Sequence, residues 1–157
     1  MKNLFYYTTP IGKIGIAEED GAVTNLFFPN EAAPKNAQIK ETALLKDVKK
    51  QLDEYFDKKR TVFDVPLNPK GTEFQKRDWE ELVKIPYGET RSYGEIAKAL
   101  GIPKGARAVG LANNRNPVSI IIPCHRVIGS DGKLVGYGGG LPVKVALLKL
   151  EGSRFID

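Results

Sequence analysis

Two short signals in the second half of the chain leave it less conformational freedom than anything else in the sequence. Thr72-Glu73-Phe74-Gln75 and Ser92-Tyr93-Gly94-Glu95 each place a hydroxyl three residues ahead of a Gln or Glu. In this capping-box pattern the hydroxyl accepts from one orphan amide and the acid or amide side chain reaches back to another. Each therefore opens a helix. The first is predicted to run through Trp79 and Leu82 to Lys84, stopped by Ile85-Pro86-Tyr87-Gly88; the second, Tyr93 to Leu100, ends at Gly101, a C′ glycine. Pro103 stands where a new helix would begin, and Lys104 to Asn114 follow at helical spacing. A short helix, a glycine-containing turn and a second helix with basic residues make a helix-turn-helix pattern. On the second helix Arg107, Gly110, Leu111 and Asn114 share a face, and small residues keep it slim. Gly105 and Gly110 inside that helix each cost about 1 kcal/mol relative to Ala, which close approach of another backbone, protein or DNA, would offset. Ser130-Asp131-Gly132-Lys133 reads as the hairpin turn of a wing, and Pro142 opens a last helix carrying Val145, Leu147, Leu148 and Leu150.

The first part reads as strands at Leu4–Thr8, Lys13–Ala17 and Val23–Phe28, with turns at Pro10–Gly12 and Glu19-Asp20-Gly21. After a polar loop, Glu41 to Lys58 sets Leu44, Leu45, Val48, Leu52, Tyr55 and Phe56 at helical spacing. Lys59 to Val65 then looks like a further strand, and Pro66, Pro69 and Gly71 mark a linker. The expectation is an α+β protein: residues 1–68 a small antiparallel sheet plus helix, residues 69–157 a winged helix-turn-helix domain.

A length of 157 residues with 41% hydrophobic and 27% charged residues suits one or two globular domains and excludes the disordered and collagen-like classes. The N-terminus shows no apolar signal region and no run approaches the roughly 18 residues of a membrane span, so a cytoplasmic location without membrane attachment is expected. Net charge is +5, weak evidence for a polyanionic partner on its own. Its distribution says more. No acidic residue lies between Glu95 and Asp131, whereas Lys98, Lys104, Arg107, Arg115 and Arg126 do. Such a stretch is either a phosphate-binding surface or an ordinary solvated basic face. The run Tyr137-Gly138-Gly139-Gly140 lacks the spacing of a phosphate loop.

The only cysteine and the only histidine stand side by side in Ile120-Ile121-Ile122-Pro123-Cys124-His125-Arg126-Val127-Ile128. A lone cysteine among isoleucines is more often an inert core residue than a reactive one. With one of each there is no disulfide and no Cys/His zinc cluster, so thiol chemistry here would use a single free cysteine. A thiolate needs a base and a positive environment. Neighbours on a strand point to opposite faces, but Pro123 can turn the chain so that thiol and imidazole meet directly or through a water. The isoleucines read as a core strand that the proline ends at the floor of a pocket.

Pro123-Cys124-His125-Arg126-Val127, preceded by Asn116-Pro117-Val118 and followed by Gly139-Gly140-Leu141 and Glu151-Gly152, resembles the active-site signature of the O6-alkylguanine-DNA alkyltransferases. The resemblance extends through PYGETRSYGEIAKALGIPKGARAVG and covers essentially residues 71–157; residues 1–70 are similar to the family's N-terminal, ribonuclease H-like domain only in length and order of elements. The resemblance implies that a monomer binds double-stranded DNA containing O6-alkylguanine, flips the lesion out and transfers the alkyl group, also from O4-alkylthymine, irreversibly to Cys124. It implies His125 as a water-mediated base, Glu151 as the acid behind it, Asn116 as the brace of the active-site turn, and Tyr93 near guanine N3 and the 3′ phosphate. Arg107 is implied as the finger that fills the space of the extruded base, with Lys104, Arg115 and Thr72 as further DNA contacts. Pro117, Tyr137, Gly138 and Val127 are implied as the alkyl and base pocket, and no cofactor or metal.

The chain departs from commoner relatives at Gly138, where many have Ser or Ala, and at Val145-Ala146, a frequent Glu-Trp. The first predicts a roomier pocket without a side-chain hydrogen bond to O6. The alternative of a lesion-recognising relative without alkyl transfer is disfavoured by Cys124, which those proteins replace.

Overall fold

In the computed structural model, which describes residues 1–156, three strands form where alternation places them: β1 (Lys2–Thr9), β2 (Gly12–Glu19) and β3 (Ala22–Phe27). Asp20 and Gly21, both at positive φ (52° and 79°), make the two-residue turn that matches the twist of β2 and β3. The polar loop holds a strand the pattern missed. β4 (Ala37–Ile39) pairs in parallel with β1, giving the order β3-β2-β1-β4; three residues are too few to show a period. α1 (Ala43–Phe56) is capped by Thr42, whose hydroxyl accepts from the Leu45 amide at 3.2 Å. It lays Leu45, Val48, Leu52 and Tyr55, all fully buried, along one stripe.

The strand expected over residues 59–65 does not form. The Gln51 side chain on α1 accepts from the Asp64 amide (2.8 Å) and donates to its carbonyl (3.0 Å), taking both groups a ladder would use. Leu67 bridges Val23 of β3 instead.

Both capping boxes form with both arms, opening α2 (Glu73–Val83) and α3 (Tyr93–Ala99). Gly101, at φ +79°, turns the chain out of α3. The helix that follows, α4 (Ala106–Asn114), starts later than its spacing suggests. Gly105 is its N-cap rather than an interior residue, and a Cβ there would collide with the Ile102 side chain. Gly110 is interior, yet a Cβ on it would meet nothing closer than Tyr93 at 3.8 Å, so no protein group explains that glycine.

The wing is reduced to its turn. Gly129 N donates to Lys133 O (2.8 Å), but no strand returns; β6 (Val127–Ile128) pairs in parallel with β5 (Arg91–Ser92). α5 (Leu141–Leu150) closes the fold with Pro142 in its first turn. One core runs through both halves, joining Ile14, Val48 and Tyr55 to Trp79, Leu82, Val109 and Leu147. Leu26 N to Pro117 O (2.8 Å) and Ser119 N to Leu26 O (3.2 Å) fasten the edge of the sheet to the thiol segment. Among the described residues, no helix is long and apolar enough to cross a membrane.

Candidate active site

The isoleucines ahead of the thiol are buried, but they form a turn and not the strand expected of them. Ile122 N donates to Val118 O (3.0 Å), and Ile120 sits at φ +71°, a region a β-branched side chain rarely enters. Asn116 holds that strain in place: its Nδ2 donates to Ile122 O (2.8 Å) and its Oδ1 accepts from Val118 N (3.0 Å). Pro123 then leads into a 3₁₀ turn, Cys124–Arg126, whose three residues are all buried, at 7%, 0% and 6% exposure.

The turn folds His125 and Arg126 onto Glu151, the C-cap of α5. The Glu151 carboxylate takes four bonds: from His125 Nε2 at 2.7 Å, from Arg126 Nε at 2.8 Å and Nη2 at 3.1 Å, and from the Tyr55 hydroxyl at 2.6 Å. Arg126 Nη1 also donates to Ile85 O (2.7 Å). Two charges out of water need this density of partners, because each alone would cost several kcal/mol. Burial by itself would raise the Glu151 carboxyl; the hydrogen bonds from His125 and Arg126, with the Arg126 charge, outweigh it and hold the group down to about 2. Burial lowers the imidazole of His125, against the opposing pull of the Glu151 hydrogen bond and charge. Its Nε2 faces the carboxylate, and Nδ1 is buried with no protein partner.

Burial pushes the Cys124 thiol up to about 11, against the opposing pull of Asn116 and Lys144. Lys144 is the site residue the sequence reading missed. It is fully buried, donates to Val135 O (3.2 Å) and Gly136 O (3.4 Å), and is held down to about 8 by burial, with Cys124 opposing. Its place on α5, in register with Leu147, Leu148 and Glu151, was the available signal. Tyr55 carried no such signal, since it lies on the other half of the chain. Arg126 was misread as part of a basic surface. It belongs to the buried cluster because Glu151 draws it inward.

The remaining expected residues divide by exposure. Arg107, Lys104 and Arg115 are exposed on and beside α4, and Thr72 is exposed at the start of α2. Tyr93, Arg107, Gly110, Leu111, Asn114 and Val135 line an open groove of about 360 Å³. Burial, then the charge of Cys124, pushes the Tyr93 hydroxyl up to about 12. Val127 is fully buried, while Pro117, Tyr137 and Gly138 are half-buried. At Gly138, where a roomier pocket is expected, Glu31 Oε2 stands 2.8 Å from where a Cβ would be. No group of three or more His, Cys, Asp or Glu among the described residues could hold a metal ion.

Residues 73–153 match the DNA binding domain of 6-O-methylguanine DNA methyltransferase, and residues 5–69 match that family's ribonuclease-like domain. The chain belongs to this family. A methylated-DNA–protein-cysteine methyltransferase of Methanosarcina acetivorans is 49% identical over 150 residues, covering 94% of this chain and 96% of that protein. The constitutive one of Bacillus subtilis is 47% identical over 156 residues, covering 93% and 94%. Among solved family structures, Mycobacterium tuberculosis OGT in complex with DNA superposes with a TM-score of 0.91 at 48% identity, covering 98% of this chain and 94% of that one.

Proposed function

We propose that the chain repairs DNA by direct reversal, as a cytoplasmic monomer that moves the alkyl group of O6-alkylguanine, and of O4-alkylthymine, irreversibly onto Cys124. The observation that carries this reading is His125, held through Nε2 by Glu151 with Nδ1 lacking a protein partner, next in the chain to the one thiol.

A thiol held up to about 11 is protonated at neutral pH and needs a base. His125 Nδ1 takes the proton through a bridging water, and the ionised Glu151 stabilises the imidazolium. The thiolate attacks the alkyl carbon, the S–C bond forms, and the C–O bond breaks with its electron pair going to O6. Tyr93, kept protonated by burial, donates to the leaving guanine. Asn116 keeps the thiol turn in its strained geometry. No group in the site can return a thioether to a thiol, so each molecule reacts once.

The alkyl carbon is shielded within stacked DNA, so the nucleotide must be extruded to reach a cysteine that is 7% exposed. Arg107, beside Tyr93 in the groove, fills the gap in the duplex. The uncrowded Gly110 lets the α4 backbone approach the DNA closely, and Lys104, Arg115 and Thr72 contact phosphates. Pro117, Val127, Tyr137 and Gly138 wall the base pocket. Intact-mass measurement after incubation with an O6-methylguanine duplex tests the reading: it expects a gain of about 14 Da, one CH2, on the nucleophile and none in Cys124→Ala. An unmodified wild-type protein that still binds the duplex tightly would overturn it.

A further inference from the structure

Gly138, Gly139 and Gly140 bring no side chains to the loop that follows Tyr137, and the space beside the first two is filled from the other half of the chain. At the end of β3 the chain turns tightly over Phe28–Glu31: Glu31 N donates to Phe28 O (2.9 Å), and Glu31 Oε1 accepts from Phe28 N (3.0 Å). This turn meets the glycine loop at three successive residues. The Phe28 ring packs edge-on against Tyr137, with centroids 5.8 Å apart, and stands 2.8 Å from where a Cβ on Gly139 would be. Asn30 Nδ2 donates to Gly138 O (2.9 Å). Glu31 Oε2 lies 2.8 Å from the Cβ position of Gly138. Real Cβ atoms do not make contacts this short, so a side chain at Gly138 displaces the Glu31 carboxylate and one at Gly139 displaces the Phe28 ring. The thiol lies within electrostatic reach of both partners: the Glu31 carboxylate raises Cys124 and Tyr137 alike.

We infer that the Phe28–Glu31 turn determines specificity in alkyl transfer, by fixing the Tyr137–Gly139 wall and so limiting the size of alkyl group that reaches Cys124. The inference rests on the reading of Cys124 as the alkyl acceptor. Cys124 is 7% exposed, so a base and its substituent need room beside it. Apart from the Tyr137 ring, the wall has no side chains of its own to anchor it. Its attachments here are one hydrogen bond from an exposed asparagine, one aromatic edge contact and one packed carboxylate. A methyl group asks for little displacement and a benzyl group for more. Loosening the clasp therefore widens the range accepted, and a wedge between Glu31 and Gly138 narrows it.

The test measures transfer rates from free O6-benzylguanine and from O6-methylguanine in duplex DNA for the wild type, Asn30→Ala, Glu31→Ala, Gly138→Ala and the Glu31→Ala/Gly138→Ala double variant, with circular dichroism to establish folding. Asn30→Ala and Glu31→Ala each raise the benzyl-to-methyl ratio, by about tenfold if the wall costs what one methylene of crowding costs. Gly138→Ala lowers the ratio, and the double variant recovers it, because the carboxylate the new methyl collides with is gone. Asn30 sits at an exposed tip, so its variant keeps the test decisive if the others fold poorly. Folded, reactive variants whose ratio stays at the wild-type value, or an effect of Gly138→Ala that is the same with and without Glu31, would overturn the inference alone. Wild-type protein that reacts with neither substrate would overturn the alkyl-acceptor reading and this inference with it.

Discussion

Arg126 and Arg107 belong to the same acid-free stretch of sequence, yet one is 6% exposed and bound through three nitrogens while the other stands in solvent beside an open groove. The difference lies in where the backbone carries each one. Arg126 ends a 3₁₀ turn aimed at the end of α5, where Glu151 waits, and a charge brought there is tolerable only if fully paired. Arg107 rides on a helix whose outer face no other element covers. An exposed charge adds little to stability, which leaves it free to serve a polyanion. On the proposed reading, the buried region supplies chemistry and rigidity, and the α4 face supplies contact with DNA.

If that division holds, Glu151→Ala should have the largest effect of any single charge removal. It strands Arg126 in the core at a cost of about 3–5 kcal/mol and slows alkyl transfer by about a hundredfold or more through loss of support for the base. Urea unfolding and single-turnover kinetics measure the two. The stability part has a definite pH dependence. A carboxyl held low in the folded state stabilises at pH values above its unfolded value of about 4.3, and that contribution is lost as pH falls toward about 2. The gap between wild type and Glu151→Ala should therefore narrow as pH falls below about 4. A constant gap down to pH 3 would mean that the carboxylate is not what the cluster needs.

Arg107→Ala should do the reverse. Unfolding should shift by less than about 0.5 kcal/mol, and reaction with free O6-benzylguanine should stay near wild type. Transfer from duplex DNA should slow by about tenfold or more, since only the duplex requires extrusion. Equal loss on both substrates would erase the distinction between the two regions.

Asp78 lies at the seam between them, fully buried on α2 beneath α4. Asn113, oriented with its amide nitrogen inward, donates to Asp78 Oδ1 at 3.3 Å. Burial first and the charge of Glu81 second push the carboxyl up to about 7. A carboxyl raised in the folded state favours folding below its unfolded value of about 3.9, and loses that contribution as pH rises through about 7. Asp78→Asn should thus gain on the wild type as pH rises from 4 to 8, by up to about 4 kcal/mol. Thermal unfolding across that range checks it, and a gain confined to low pH would refute the assignment.

The elements legible in the sequence are those whose signals are local. Both capping boxes, Gly101, the Asp20-Gly21 turn and the apolar stripe of α1 are satisfied within a few residues of the pattern that announces them, so reading them needs no tertiary knowledge. The misreadings have one physical cause. Residues 59–65 have strand composition, but Gln51 offers their backbone a better partner than a ladder does. The isoleucines are apolar enough for a strand, but Asn116 ties them into a turn.

The sequence alone was enough to locate the thiol, the imidazole beside it and the two helices that carry the basic face. Folding settled how those groups are tuned. Tyr55 reaches Glu151 across 96 residues, Lys144 enters a core that its charge would otherwise avoid, Asn30 bonds the Gly138 carbonyl and Glu31 fills the space that Gly138 leaves. Hydrogen-bond caps and turn preferences act over a few residues and are written in order along the chain. Desolvation, charge pairing and close packing depend on which surfaces meet in three dimensions, and no local pattern encodes them.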